Sequence, residues 1–332
     1  MVETEILEDL KIQTEKKVEP KRTFKDIMKF YFLPGYRIPE FTAREYEIGK
    51  LKSKRKLFRR LVTPLSIIGF TMIIFIAFIG IYAPFISTYT IQEVAMPHVP
   101  PSGFPFADPS PEHPLGTTKY GYDILARLIW GSRTVITAAA FPVLISNGGG
   151  ILLGTLSAYF GGKLDYIMMR IVDFMYSFPT IILVIIIAPM MGGKLYNILL
   201  LWGLLYIPYT TRFVRSLVLQ VKQNLYVEAA ITGGADKLKV MFKHVFPNTY
   251  SALIISFFGS MAFSVLGFAS IAFLGMGDQT FADWGTDIAY SRSNLTAIGP
   301  AFWPGLFLGI TTIGFILVGD GLRDALDPRL KR

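Results

Sequence analysis

Tyr226-Val227-Glu228-Ala229-Ala230-Ile231-Thr232-Gly233-Gly234, and then His244-Val245-Phe246-Pro247, lie between two long apolar runs. A bilayer crossing takes roughly 20 apolar residues. Both flanking runs meet that length, so the stretch reads as a loop between two membrane spans. It is polar and helix-forming, and it carries Lys222, Lys237, Lys239 and Lys243. Lys and Arg resist translocation, so such a loop is held on the cytoplasmic side. An ordered, basic loop there is where a soluble partner would dock.

The spacing predicts two short helices at an angle. Leu238, Met241, Phe242 and Val245 fall at i, i+3, i+4 and i+7, one apolar stripe. Ala229 and Ala230 favour helix and leave room for a close approach. Gly233-Gly234 permits a sharp bend, and Pro247 is expected to end the second helical piece. On this pattern alone, a docking platform and a plain amphipathic connector stand side by side.

Composition agrees with a membrane chain. The 332 residues are 52% hydrophobic and 17% charged, where soluble domains carry nearer 25% charged residues. The formal net charge is +9. Its basic residues cluster beside the spans, as loops facing anionic lipid do, and not as a nucleic-acid surface. With no cysteine, disulfides, Cys-ligated zinc and a thiol nucleophile are excluded. The opening is polar to about residue 60, whereas a cleavable signal places its apolar core within about the first 30 residues. The first span is therefore expected to be an uncleaved anchor.

Six spans are predicted. The first covers 61–82. Lys50, Lys52, Lys54, Arg55, Lys56, Arg59 and Arg60 precede it and place the N-terminal extension, 1–60, inside. Residues 83–133 hold Pro97, Pro100, Pro101, Pro105, Pro109, Pro111 and Pro114, and read as an external loop without long helices. A permease-like core, 134–320, then carries five spans: 134–160, a third ending near 191, 197–219, 249–274 and 301–318. The cytoplasmic loop at 220–248 interrupts them, and a basic tail, 321–332, follows. Gly150, Gly154 and Ala158 form a small-residue row for close helix packing. They lack the Gly-x-x-x-x-Gly-Lys-Ser/Thr order of a phosphate loop. Arg170 and Asp173, at i and i+3 in the third span, read either as an intramembrane functional pair or as a pair facing neighbouring helices. His98 and His113 make a poor metal site, and Trp284 reads as an interfacial anchor.

Several motifs then converge on one family. Glu228-Ala229-Ala230, Gly234 and Phe246-Pro247 resemble the Glu-Ala-Ala loop of membrane subunits of ATP-binding-cassette importers, and Lys243-His244 resembles its peptide-permease branch. His113-Pro114-Leu115-Gly116-Thr117, Gly121-Tyr122-Asp123, Arg127-Leu128 and Gly131 are similar to the external segment of one peptide-permease subunit, with Tyr122 where Arg is usual. Asp283-Trp284-Gly285 resembles a Ser-Trp-Gly element with Asp for Ser. Gly319-Asp320-Gly321-Leu322-Arg323-Asp324-Ala325-Leu326-Asp327-Pro328-Arg329-Leu330 is similar to the C-terminal signature. The matches run from His113 to the C-terminus and leave the N-terminal extension uncovered.

The resemblance implies an all-α polytopic protein of the type I importer permease fold, the C-type subunit of an oligopeptide or dipeptide permease in the plasma membrane, with both termini cytoplasmic. It implies a homologous second permease subunit, two cytoplasmic ATPase subunits that bind the ATP, and an extracytoplasmic substrate-binding protein. It also implies coupling residues Glu228, Ala229, Ala230, Gly234 and Pro247. Glu228 would bond a polar or basic group in the ATPase cleft, and Gly234 would let the helix pair bend. No catalytic residue, cofactor or metal is expected, because the chain would not be the motor. Peptides are the first substrate; oligosaccharides or nickel are alternatives within the same importer class. An ion-driven secondary transporter would show broken helices in an inverted repeat, and an intramembrane enzyme would show paired carboxylates. Neither pattern is visible.

Overall fold

In a computed structural model the described residues are 63–95, 104–294 and 296–326. The N-terminal extension with its basic run, Pro97, His98, Pro100, Pro101 and the final residues 327–332 of the tail signature lie outside them. Every regular element among the described residues is a helix. Helix α1 is Pro64–Ile81, capped by Thr63, whose hydroxyl accepts from the Ser66 amide, with Pro64 in its first turn. Helix α2 is the single turn Ala83–Ile86, and α3 is Ile124–Phe160. Helices α4, Gly162–Tyr176, and α5, Thr180–Met190, follow, bent by 81° at Ser177-Phe178-Pro179. Helix α6 is Leu195–Lys222, α7 is Leu225–Thr232, α8 is Lys237–Val240, α9 is Tyr250–Ile271, α10 is Trp284–Ser291 and α11 is Gly299–Leu326.

Four helical runs are long and apolar enough to cross a membrane: Pro64–Ile81, Ile124–Phe160, Lys237–Met276 and Gly299–Leu326. The α4–α5 pair passes the same test as one broken span. Arg170 and Asp173 interrupt its sequence, and the residue before Pro179 is barred from helical geometry, which places the break there. The remaining predicted span falls on α6, whose inner half is diluted by Thr210-Thr211-Arg212 and Arg215. The chain is a multi-pass helical membrane protein.

Two boundaries differ from expectation. Helix α3 begins at Ile124, ten positions before the predicted second span and inside the predicted external loop. Asp123 caps it, its carboxylate accepting from the Ala126 amide at 2.6 Å. With 37 residues the helix is about 55 Å long, longer than the roughly 30 Å of hydrocarbon, so part of it stands clear of the bilayer. The tail, placed at 321–332 after a span ending at 318, is continuous with that last span to Leu326.

The small-residue row does bring helices together. A methyl at Gly150 would lie 2.4 Å from Thr210 Cβ, and one at Gly154 would lie 2.6 Å from the Thr211 carbonyl oxygen. Helices α3 and α6 therefore touch backbone to backbone. Gly154→Ala is expected to destabilise by about 1–3 kcal/mol, because two spans must separate. Gly148→Ala on the same helix meets open space and is expected to be neutral or stabilising, since Ala is the better helix former. Thermal unfolding of the purified complex distinguishes the two, and equal melting temperatures would contradict this packing.

Pro142 inside α3 leaves the Ala138 carbonyl without its helical donor. The Ser264 hydroxyl of α9 donates to that oxygen at 2.6 Å. A serine on a neighbouring span thus satisfies the group that the proline freed, as backbone in hydrocarbon requires.

Candidate functional site

The loop between α6 and α9 is built on the end of the bundle where α3 and α6 finish and α9 begins. Val227, Val240, Met241 and Val245 are buried against Ala158 and Tyr159 of α3, Val214 and Val218 of α6 and Leu253 of α9. Lys222 Nζ donates to the Tyr159 carbonyl at 2.7 Å. It thereby caps the C-terminal end of α3, where cations are favoured, and ties down the loop's root.

Helix α7 ends in a Schellman turn. The Ala235 amide donates to the Ala230 carbonyl at 3.1 Å and the Gly234 amide to the Ile231 carbonyl at 3.0 Å. This motif needs a left-handed residue at the position after the cap, and Gly234 has φ +79°. Asp236 then caps α8, accepting from the Leu238 amide at 3.1 Å. The predicted helix–bend–helix is present, and the sharp turn is at Gly234.

Two details of that loop are corrected. Pro247 does not end the second helical piece. It sits in the first turn of a 3₁₀ segment, Phe246–Thr249, that leads from the loop into α9, a position where a missing amide is tolerated. The predicted stripe is only half buried: Met241 and Val245 point inward, while Leu238 and Phe242 are exposed and Val240 takes the inner place. A π turn at Met241–Val245 inserts one residue per turn and shifts the face.

Of the predicted coupling residues, Glu228, Ala229, Gly234 and Pro247 are exposed and Ala230 is half-buried over the loop's core. They share the surface with Leu225, 82% exposed, Tyr226, Ile231, Leu238 and Phe242, 62% exposed. The loop is thus packed beneath and apolar on its free side, with Glu228 as the acidic residue of α7.

Arg170 and Asp173 do not pair. Asp173 bonds Arg212 of α6, and the Arg170 guanidinium lies 5.4 Å from the Tyr166 ring. Asp165 of α4 holds Arg215 through two bonds of 2.7 and 2.6 Å. Two ion pairs therefore fasten α4 to the C-terminal half of α6 beside the loop.

Near the N-terminal end of α3, sequence reasoning missed a buried charge pair. Arg127 Nε donates to Asp287 at 2.6 Å, and both side chains are almost wholly buried. Arg127 also donates to the Val94 carbonyl and lies over the Tyr122 ring at 5.5 Å. Asp283 caps α10, accepting from the Thr286 amide and hydroxyl at 2.9 and 2.7 Å. Burial raises the pKa of Asp283 and pushes that of Asp287 up to about 6, against the opposing pull of Arg127. Trp284 is not an interfacial anchor. It is 0% exposed and donates to the Leu128 carbonyl at 3.3 Å. Asp123 faces His113 at 3.1 Å. The motifs expected to be external thus form one scaffold on the N-terminal turns of α3.

The described chain is thus a bundle of apolar helices with a packed loop at one end and a braced segment on α3 at the other. Residues 150–332 match the family described as binding-protein-dependent transport system inner membrane component. The glutathione transport system permease protein GsiD of Pectobacterium atrosepticum is 38% identical over 226 residues, 67% of this chain and 75% of that protein. The dipeptide transport system permease protein DppC of Alkalihalophilus pseudofirmus is 32% identical over 280 residues, 83% and 90% of the two chains. DppC of Haemophilus influenzae is 34% identical over 274 residues, 80% and 91%. The chain belongs to the family of inner-membrane components of binding-protein-dependent transport systems, a transport family and not an enzyme family.

Proposed function

We propose that this chain is one of two homologous membrane subunits of an ATP-driven importer of short peptides. The loop from α7 to Pro247 receives the motor. The likeness to permeases named for dipeptides and glutathione supports the substrate class. The observation that carries the coupling role is a loop rigid beneath, with buried Val227, Val240 and Val245, and apolar on its free face. A connector serving only to join spans has no need of that exposed row, whereas a cleft in a soluble partner would cover it. The chain has no phosphate-loop order, so ATP is bound by two cytoplasmic ATPase subunits, and no cofactor or metal is held here. A binding protein delivers cargo at the outer scaffold around Arg127. The loop and both termini face the cytoplasm, a reading that the placement of Lys and Arg supports. ATP closes the motor pair, the loop moves with it, and the ion-paired α4 and α6 carry that movement into the spans.

Proteoliposomes test this reading. With the second permease, both ATPases and the binding protein present, labelled dialanine should accumulate only with ATP. This chain alone should give no ATP-dependent uptake and no hydrolysis. Uptake by the chain alone, or uptake driven by an ion gradient without ATP, would overturn the subunit assignment.

A further inference from the structure

A cavity of about 410 Å³ opens between α3, α6 and α9 at mid-span, within the roughly 300–1,000 Å³ of small-molecule sites. Its wall includes Ser146, Tyr206, Tyr209, Ser256, Ser260 and Phe263, and none of its lining residues is charged. The Ser146 and Ser264 hydroxyls are turned to the Val143 and Ala138 carbonyls. Those of Tyr206, Tyr209, Ser256 and Ser260 have no protein partner among the described residues. One wall is aromatic and rigid: the Tyr206 ring lies 4.7 Å from Trp202 and 5.3 Å from Phe263. Hydroxyls cannot be left against hydrocarbon without a cost of several kcal/mol, so this mid-span face meets water, cargo or the second membrane subunit and not lipid. The nearest charges along α6, Arg212 and Arg215, are each held by a carboxylate.

We propose that this cavity is the chain's share of the cargo path and that it binds the uncharged polar parts of a peptide, its amides and small neutral side chains. The proposal rests on the peptide-importer reading. A hydroxyl both donates and accepts, so the serines and tyrosines serve amide N–H and C=O groups without regard to side chain. The aromatic wall covers the apolar remainder. An ammonium or carboxylate side chain finds no counter-charge on these residues, so the water it sheds on entering is not repaid. The cavity therefore disfavours charged cargo residues.

The absence of native cysteine makes the test direct. In the assembled transporter, Ser260→Cys provides the only thiol in this chain. It is treated after assembly with thiosulfonates that attach either a sulfonate or a trimethylammonium group. Ile74→Cys, on α1 at a side chain 62% exposed on an apolar helix, is the lipid-facing control. The thiol at 260 should react at least about tenfold faster than that at 74, because only a hydrated thiol ionises, and trialanine with ATP should slow it. With the binding protein saturated, the sulfonate adduct should raise the uptake ratio of Ala-Lys-Ala to Ala-Glu-Ala about tenfold over the ammonium adduct. The two adducts have similar bulk, so their ratio isolates charge. Reactivity at 260 no greater than at 74 would overturn the wet path. An unchanged ratio with both peptides still entering would overturn the selection by charge. No trialanine uptake by the unaltered complex would overturn the peptide reading itself, which thiol reactivity does not probe.

Discussion

Arg127→Met is expected to cost about 3–5 kcal/mol of stability, read as a lost or sharply lowered melting transition of the purified complex. It leaves Asp287 buried without its partner, and an uncompensated buried charge is among the most damaging single changes. The remedy distinguishes this cause from lost packing. Arg127→Met with Asp287→Leu removes both charges and should recover most of the loss. The pH dependence has a definite sign. Burial places Asp287 at about 6 in the folded protein, above roughly 3.9 in an unfolded chain. The folded state then holds the proton more tightly, so this group favours folding below about pH 4 and that contribution is lost as pH rises through about 6. Removing Arg127 removes an influence that lowers the Asp287 value. The defect of Arg127→Met should therefore be smaller at about pH 5 than at about pH 8. A double variant as unstable as the single one, or a defect independent of pH, would show that Arg127 acts by bulk.

Much of this architecture is legible in the chain, and its failures have physical causes. Apolar runs long enough to span announce themselves, and the break at Pro179 follows from the restricted residue before a proline. Gly150, Gly154 and Gly234 are readable because a close approach or a left-handed turn excludes most other residues. The early start of α3 had a signal in Asp123, a good cap, followed by the helix formers Ile124-Leu125-Ala126-Arg127-Leu128; the prolines upstream hid it. The loop stripe failed because a π turn breaks the 3.6 period on which such stripes are read. Arg127 and Asp287 stand 160 positions apart, and no local pattern joins them. Ser256, Ser260 and Ser264 repeat at i, i+4 and i+8 within an apolar span, a polar stripe of which Ser264 packs on α3 and the other two line the cavity.

Glu228→Lys and Gly234→Val should both abolish ATP-driven uptake while leaving insertion intact, since neither residue lies in a span. Glu228 is exposed on α7 beside the uncovered Leu225 and Ile231. If it makes a charge-assisted bond to the motor, charge reversal leaves the partner group unpaired at a cost of about 2–5 kcal/mol at that interface. Gly234 fails for a different reason. A methyl there meets nothing within 4 Å, so crowding is not the cause. Its φ of +79° is the cause, because a β-branched residue in that region is strained by about 1–3 kcal/mol. Valine would open the Schellman turn and swing α7 away from α8. Asparagine, which tolerates the left-handed region better, should retain much more uptake than valine at 234, a gradation that a purely steric or purely hydrophobic role would not produce. Lys239, exposed on α8, is the control, and Lys239→Ala should change little. ATP hydrolysis measured alongside uptake separates lost docking from lost coupling: hydrolysis that no longer responds to the loaded binding protein marks either failure, and a motor released from the membrane fraction marks the first. Normal uptake by both variants at normal expression would reduce the loop to a connector and remove the basis for assigning it to the motor.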